Sequence, residues 1–373
     1  MSNIKRIIVV VVIIVAVLLI SSSFVGSNIM DRAIIIGLGV DACEEGVRLT
    51  AEVVSPGSSG EKVGTFSKTV SASAQSVGQA IQRIAELTGK EASLGRCLIL
   101  ILGQELYETQ DFSDVIDYFI NSDSFKESSA IACCQGSAEQ IINKGSVLMQ
   151  SVSLAVTALI QDQANKTAIV TNNVLEYALS QRDMLKTGFI NKVKYVQSDN
   201  SDPQNPDKDQ GYFALDEIAV FRQNKLACML DREEMRGFSL FEDSVLGDTF
   251  SSEASGKLLT LNINSKKVDK KLKDGEITVK IKLFAKLARN DSADIEGIFI
   301  AQDAKEIPKE TIADVTEQVR VLAQALLDKQ TEYNFDVLGL HELYRQSFGT
   351  SKELENKPMD EFKVNLEVEI KEK

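Results

Sequence analysis

Apolar positions along the chain fall into three patterns. The first is an unbroken apolar block, residues 7–20, extended by Phe24 and Val25 after three serines. From Ile7 through Ile20 to Val25 it is just long enough to cross a bilayer core of ~30 Å at ~1.5 Å per residue. Lys5 and Arg6 precede it, which holds an N-terminus inside and sends the rest of the chain outside. The block is expected to be an uncleaved signal-anchor, with a cleaved signal ending near residues 25–27 as the alternative. The body, from about residue 28, is then extracytoplasmic.

The second pattern is period-two alternation or a short apolar run. It predicts strands at 33–39, 47–54, 66–72, 97–102, 129–134 and 194–197. Further on it predicts two short strands around Gln223 and Asn224, then 257–264, 265–272, 276–288 and 362–370, with Asp274-Gly275 as a hairpin turn. The third pattern has helical spacing. Val77, Ala80, Ile81, Ile84 and Leu87 share a face that ends at Gly89. Asp111 caps a helix carrying Phe112, Val115, Ile116 and Phe119, and Ser137 starts a short one with Ile141 and Ile142. More helices are expected near 154–163 and 174–182, a short helix or turn over 231–241, and a long helix over 309–333. The long helix's face holds Ile312, Val315, Val319, Leu322, Ala325 and Leu326. A last short helix contains His341.

The order of elements predicts an α+β fold: an N-terminal membrane helix, then a multi-domain body of mixed, largely antiparallel sheets with packed helices. Residues 198–211 are polar throughout and hold two of the five prolines, so they read as a linker. The expected division is a membrane segment (1–27), an N-terminal α+β domain (28–197), the linker, a small middle domain (212–256) and a C-terminal α+β domain (257–373).

Composition narrows the function. With 44% hydrophobic and 25% charged residues, the 373-residue chain can bury a core. Its net charge of −13 argues against nucleic acid as a partner and against adhesion to anionic lipid through a basic patch. Five cysteines (Cys43, Cys97, Cys133, Cys134 and Cys228) with no CxxC spacing suit neither a disulfide framework nor a zinc site. They read as small buried hydrophobes. Cys43 lies beyond the first predicted strand, too far from the apolar block to take a lipid. A single histidine, His341, rules out a multi-His metal site within the chain. No cofactor is expected.

The motifs with chemical content are weak. Gly37-x-Gly39-x-x-Ala42 follows a strand as a dinucleotide fingerprint would, but another strand follows where the phosphate-binding helix should stand. Glu233 and Glu234 are adjacent, so on a helix they diverge rather than face one substrate; flanked by Arg232 and Arg236, they read as a solvated charged turn. His341-Glu342 lacks the second histidine of a metalloprotease motif, and no serine sits in a GxSxG elbow. His341 reads as a surface or packing residue.

Several blocks carry a family likeness. DRAIIIGLGVD…VRLTAEVVSPG resembles the start of the mature C subunit of spore germinant receptors, a strand ending in a Gly-x-Gly-x-Asp turn and a second ending in Pro-Gly. The stretch leading into GRCLILILGQEL, and DVIDYFINSDSFKESSAIACCQGSAEQII, resemble the next two blocks. IAVFRQNKLACMLDREEMRGFSL resembles the strongest, carried here by Phe221, Lys225, Leu226, Glu234 and Gly237. LLDKQTEYNFDVLGLHELYRQSFGT and FKVNLEVEI resemble the closing helix, Asp-x-x-Gly turn and last strand. The chain departs from the family in lacking a lipobox cysteine, a tryptophan in the closing block and arginines around residues 122–125.

The resemblance implies a three-domain α+β body on the outer face of the spore inner membrane, working with two integral-membrane partners, the A and B subunits. It implies no enzyme. The expected function is therefore a non-enzymatic scaffold or binding subunit. The alternatives are an anchored envelope or sporulation protein of the same fold and, from another class, an extracytoplasmic hydrolase using carboxylates.

Overall fold

The computed structural model describes residues 32–56, 65–109, 111–144, 151–163, 172–182, 187–197, 211–241, 248–256, 258–288, 307–349 and 357–372. Ile7, Ile20 and Val25, and with them the expected membrane anchor, lie outside the described residues. Among the described residues no helix is long and apolar enough to cross a membrane.

The first sheet begins with β1 (Arg32–Cys43), β2 (Gly46–Pro56) and β3 (Thr65–Ala74), an antiparallel meander. Helix α1 (Val77–Thr88) follows, capped by the Ser76 hydroxyl and closed by Gly89 in the left-handed region. The short β4 (Glu91–Ser93) and β5 (Ile99–Leu102) both run parallel to β1. Helices α2 (Gln104–Thr109) and α3 (Ser113–Ile120) lead to β6 (Ala130–Cys134), parallel to β5. Helices α4 (Ala138–Ile142), α5 (Val152–Gln163) and α6 (Val174–Arg182) lead to β7 (Gly188–Gln197), parallel to β6. Strands β8 (Gly211–Arg222) and β9 (Lys225–Leu230) then add antiparallel, giving the order β3-β2-β1-β5-β6-β7-β8-β9.

The sheets are thus mixed as expected, but the centre of the first is parallel. The apolar runs explain this. Ile99 and Ile101 face one core while Leu100 and Leu102 face the other, and Ala132 and Cys134 alternate with Ile131 and Cys133 in the same way. A strand buried on both faces has no polar side to alternate, which is the pattern of a parallel core flanked by helices.

The segment expected to separate two domains instead joins neighbours in one sheet. Gln197 pairs with Gly211, so β7 and β8 form a hairpin around residues 198–210. The boundary expected between 28–197 and 212–256 therefore falls inside the first sheet, and β8 and β9 complete that sheet rather than starting a middle domain. The expected two-residue turn between β8 and β9 is present, with Gln223 and Asn224 at φ of 52° and 56°.

Helix α7 (Arg232–Phe241) leads into the second sheet, β10 (Thr249–Ser252), β11 (Leu259–Lys273), β12 (Glu276–Leu287) and β13 (Lys363–Glu372), in the order β10-β11-β12-β13. The strands expected at 257–264 and 265–272 are one strand, bent by a bulge between Ile263 and Ser265. Helix α8 (Lys309–Tyr333) covers the inner face, and α9 (Leu340–Phe348) follows a left-handed Gly339. On α8 the buried positions include Val315, Val319, Ala323 and Leu326, while Ala325 faces out. Met235, Phe238, Leu240 and Phe241 of α7 join the same apolar cluster as Val220 of the first sheet and Ile281 of the second, so one core runs through both.

Candidate functional site

The family-like residues of β1 are architectural. Gly37 and Gly39 lie inside the strand, next to a bulge at Ile35/Gly37, and Asp41 is still paired with Arg48. The turn comes later, at Glu44-Glu45. A Cβ on Gly39 would lie 2.9 Å from the Ala138 Cβ, so α4 can pack against β1 only where no side chain stands. Asp41 is buried and accepts the Ala138 and Glu139 backbone N–H groups at 2.7 and 2.9 Å and the Ser137 hydroxyl at 3.2 Å. Burial pushes its carboxyl above the usual range despite these hydrogen bonds. On the partner strand, buried Glu52 accepts the Ser153 backbone N–H and hydroxyl at 2.9 and 2.6 Å at the start of α5. Two adjacent strands thus each supply a buried carboxylate to a helix N-terminus. No pyrophosphate site is formed, since the sheet continues through the glycines.

The acidic pair after the linker also divides. Asp231 accepts the Glu233 and Glu234 N–H groups, and Glu234 returns a bond from the Asp231 N–H, a capping box for α7. Glu233 is exposed. Glu234 is not the solvated residue expected: it meets Lys329 of α8 at 2.6 and 2.5 Å, and the same ammonium donates to the Met229 carbonyl at 2.7 Å. Three residues on, a Cβ on Gly237 would lie 2.6 Å from the Leu322 carbonyl oxygen. Glu234 and Gly237 therefore set how closely α7 and α8 approach. Phe221 is fully buried, edge-on to Phe112, Tyr107 and Tyr177. Leu226 pairs opposite it on β9, and Lys225 is exposed.

His341 is a packing residue, 2% exposed. Its ring reaches Asp336 Oδ2 at 3.2 Å and the Lys357 carbonyl at 2.9 Å, and meets Phe362 edge-on. Asp336 also accepts the Leu340 and His341 backbone N–H groups, so it caps α9. The pair holds the turn before α9 to the approach of β13. The cysteines behave as hydrophobes: burial pushes the Cys97 thiol up to about 12 and Cys228 up to about 11, and raises Cys133 and Cys134 as well. All five are free thiols. Among the described residues no three His, Cys, Asp or Glu side chains gather as a metal site.

Recesses open on the described surface. One, of about 640 Å³, lies beside the β1–β2 turn and is lined by Glu44, Glu45, Glu86 and Arg83, with Arg83 paired to Glu45. A second, of about 490 Å³, and a third, of about 160 Å³, flank the turn before β6 and share Ser128. Sequence reasoning singled out neither these recesses nor Glu52 and Lys329, whose partners lie far away in the chain, and it took Asp336 only as the start of the Asp-x-x-Gly turn, not as the cap of α9 and partner of His341. Local capping signals do stand in the sequence, as at Ser76, Ser137, Asn173-x-x-Glu176 and Asp231-x-x-Glu234.

The fold and its polar groups define a class: a two-sheet α+β body whose buried acids serve as helix caps and interhelical ties. Two family models match it in order: a spore germination protein N-terminal domain over residues 26–189, and a spore germination B3/GerAC-like C-terminal domain over residues 216–373. The chain belongs to this family, the Ger(x)C-type germinant receptor C subunits. Among solved structures it is similar to that of the GerBC protein, with a TM-score of 0.54 and 16% identity over 90% of this chain and 96% of that one. No curated protein matches the chain.

Proposed function

We propose that this chain is a non-enzymatic subunit of a nutrient germinant receptor, required for spore germination and acting as an extracytoplasmic scaffold. The observation that carries the reading is the pair of family domains, both present and in order. In this reading residues 7–25 anchor the chain, and the body sits on the outer face of the spore inner membrane. Its partners are the integral-membrane A and B subunits, reached through protein surfaces.

The chemistry supports binding over catalysis. The polar groups singled out above are spent on structure: Asp41 and Glu52 on helix caps, Glu234 on Lys329, His341 on Asp336 and Lys357. Tethering beside the partners raises effective concentration without any new contact. Deleting the gene should abolish the response to one nutrient class while spores still germinate by routes that bypass receptors. An affinity-tagged chain should bring down the two membrane subunits from detergent extracts. A normal nutrient response in the deletion strain would refute the proposal.

A further inference from the structure

The outer face of the second sheet carries charge of the opposite sign to the chain as a whole. On β12, Ile277, Val279, Ile281 and Leu283 are buried in one cluster with Val315 and Val319 of α8, so the residues between them point away from the core. Residues opposite each other in a sheet share a face, and the register extends this outer face to β11 and β13. Eight lysines and four carboxylates point outward from the three strands. In the whole chain, acids outnumber lysine and arginine by 54 to 41. The helices lie on the other side, where the inward-facing Lys266 and Lys270 donate to the Ser239 carbonyl of α7 and the Leu338 carbonyl before α9.

This concentration of lysine is costly in the free chain. Lys267 stands directly opposite Lys282, and like charges directly opposite destabilise a sheet. Asp269 serves both, at 3.0 and 3.5 Å. Lys280 lies between Glu367 and Glu369 at 3.6 and 3.2 Å, and Glu369 also meets Lys371 at 3.1 Å. Lys271, Lys273, Lys286 and Lys363 are exposed and form no ion pair among the described residues. Three of these, Lys271, Lys273 and Lys363, gather at the hairpin end of the sheet around Glu276, which stands opposite both Lys273 and Lys363.

We propose that this face docks an acidic surface on the extracytoplasmic part of the partner membrane subunits. The inference rests on the receptor reading above and names the surface that meets the partners. A protein fits the face better than a lipid plane does. Asp269, Glu367 and Glu369 are set among the lysines, and a layer of anionic headgroups would press on them too. A protein can place its acids against Lys271, Lys273 and Lys363 alone. A second copy is disfavoured because each copy carries −13.

The test compares the tagged full chain with a triple variant, Lys271→Gln, Lys273→Gln and Lys363→Gln, in detergent extracts that contain both membrane subunits. The variant should recover at least about tenfold less of both subunits, and raised salt should weaken wild-type recovery. Its melting temperature should not fall, since the three side chains are exposed and unpaired. The corresponding triple arginine variant, which keeps the charge, should recover the subunits like wild type. Acetylation of lysines, read by mass spectrometry, locates the contact. Lys271, Lys273 and Lys363 should be protected in membranes that hold both subunits. They should react freely when the chain alone sits in phosphatidylcholine or phosphatidylglycerol vesicles. The proposal is overturned if the glutamine variant recovers the subunits like wild type, or if the arginine variant fails as the glutamine one does. Protection by phosphatidylglycerol alone would assign the face to lipid, and protection that rises with the density of the chain alone would assign it to a second copy; either overturns the proposal. If wild type recovers neither subunit, the receptor reading itself fails and this inference falls with it.

Discussion

Buried polar side chains in this body serve as connectors, and their chemistry can be tested one residue at a time. Asp41 holds its proton to a higher pH in the folded chain than in the unfolded one, because burial penalises the carboxylate. Its contribution to stability is therefore complete below the ordinary aspartate range and is lost as pH rises through the raised value. The stability difference between wild type and Asp41→Asn should fall as pH rises above the ordinary aspartate range. Urea midpoints of both proteins across that range measure it, and a difference that grows with pH would contradict burial as the cause. His341 makes a second case. Replacing it with alanine removes both ring contacts and leaves Asp336 buried beside a cavity. The expected cost is ~2–4 kcal/mol in chemical denaturation. A loss of nutrient response in His341→Ala spores would thus reflect a weakened fold, to be checked by protein level before any catalytic role is inferred.

At the scale of elements, the joint between α7 and α8 is the place where the two sheets are coupled. Gly237 is required there for contact, not for backbone freedom, because the Leu322 carbonyl occupies the place of a side chain. Gly237→Ala should destabilise the protein by ~1–3 kcal/mol through overpacking, although alanine is the better helix former. Thermal melting distinguishes the two effects by sign. On the same joint, Lys329 ties Glu234 and the end of β9 to α8. Residues 231–241 were expected only as a short helix or turn; the capping box that starts α7 and its role in carrying one core from the first sheet to the second came from the structure.

For the whole molecule, the acidic balance and the proposed anchor make a joint statement about placement. A chain of net charge −13, whose acidic residues all lie in the body, gains nothing from anionic lipid overall, so in this proposal attachment falls to residues 7–25 and to protein partners. Protease added to intact protoplasts should digest the body, and protection of the body would reject the proposed topology. No cysteine follows the apolar block closely, so labelled fatty acid should not be incorporated.

Periodicity along the chain determined most of the elements. Strands β1 to β3, helix α1 with its Gly89 end, the β8–β9 turn at Gln223-Asn224 and the length of α8 all rest on neighbours within a few residues. Such local signals survive in sequence because caps, turns and amphipathic faces are decided over one or two turns of chain. Only the tertiary structure decided which strands are neighbours. The polar stretch at 198–211 looked like a domain linker because a hairpin connection and a linker share the same solvated composition, and the pairing of Gln197 with Gly211 lies in the strands on either side. The parallel centre of the first sheet was hidden because a strand buried on both faces shows no alternation. Asp41 and Glu52 were unreadable for a different reason. What each does depends on a helix from elsewhere in the chain that brings it a partner, α4 for Asp41 and α5 for Glu52.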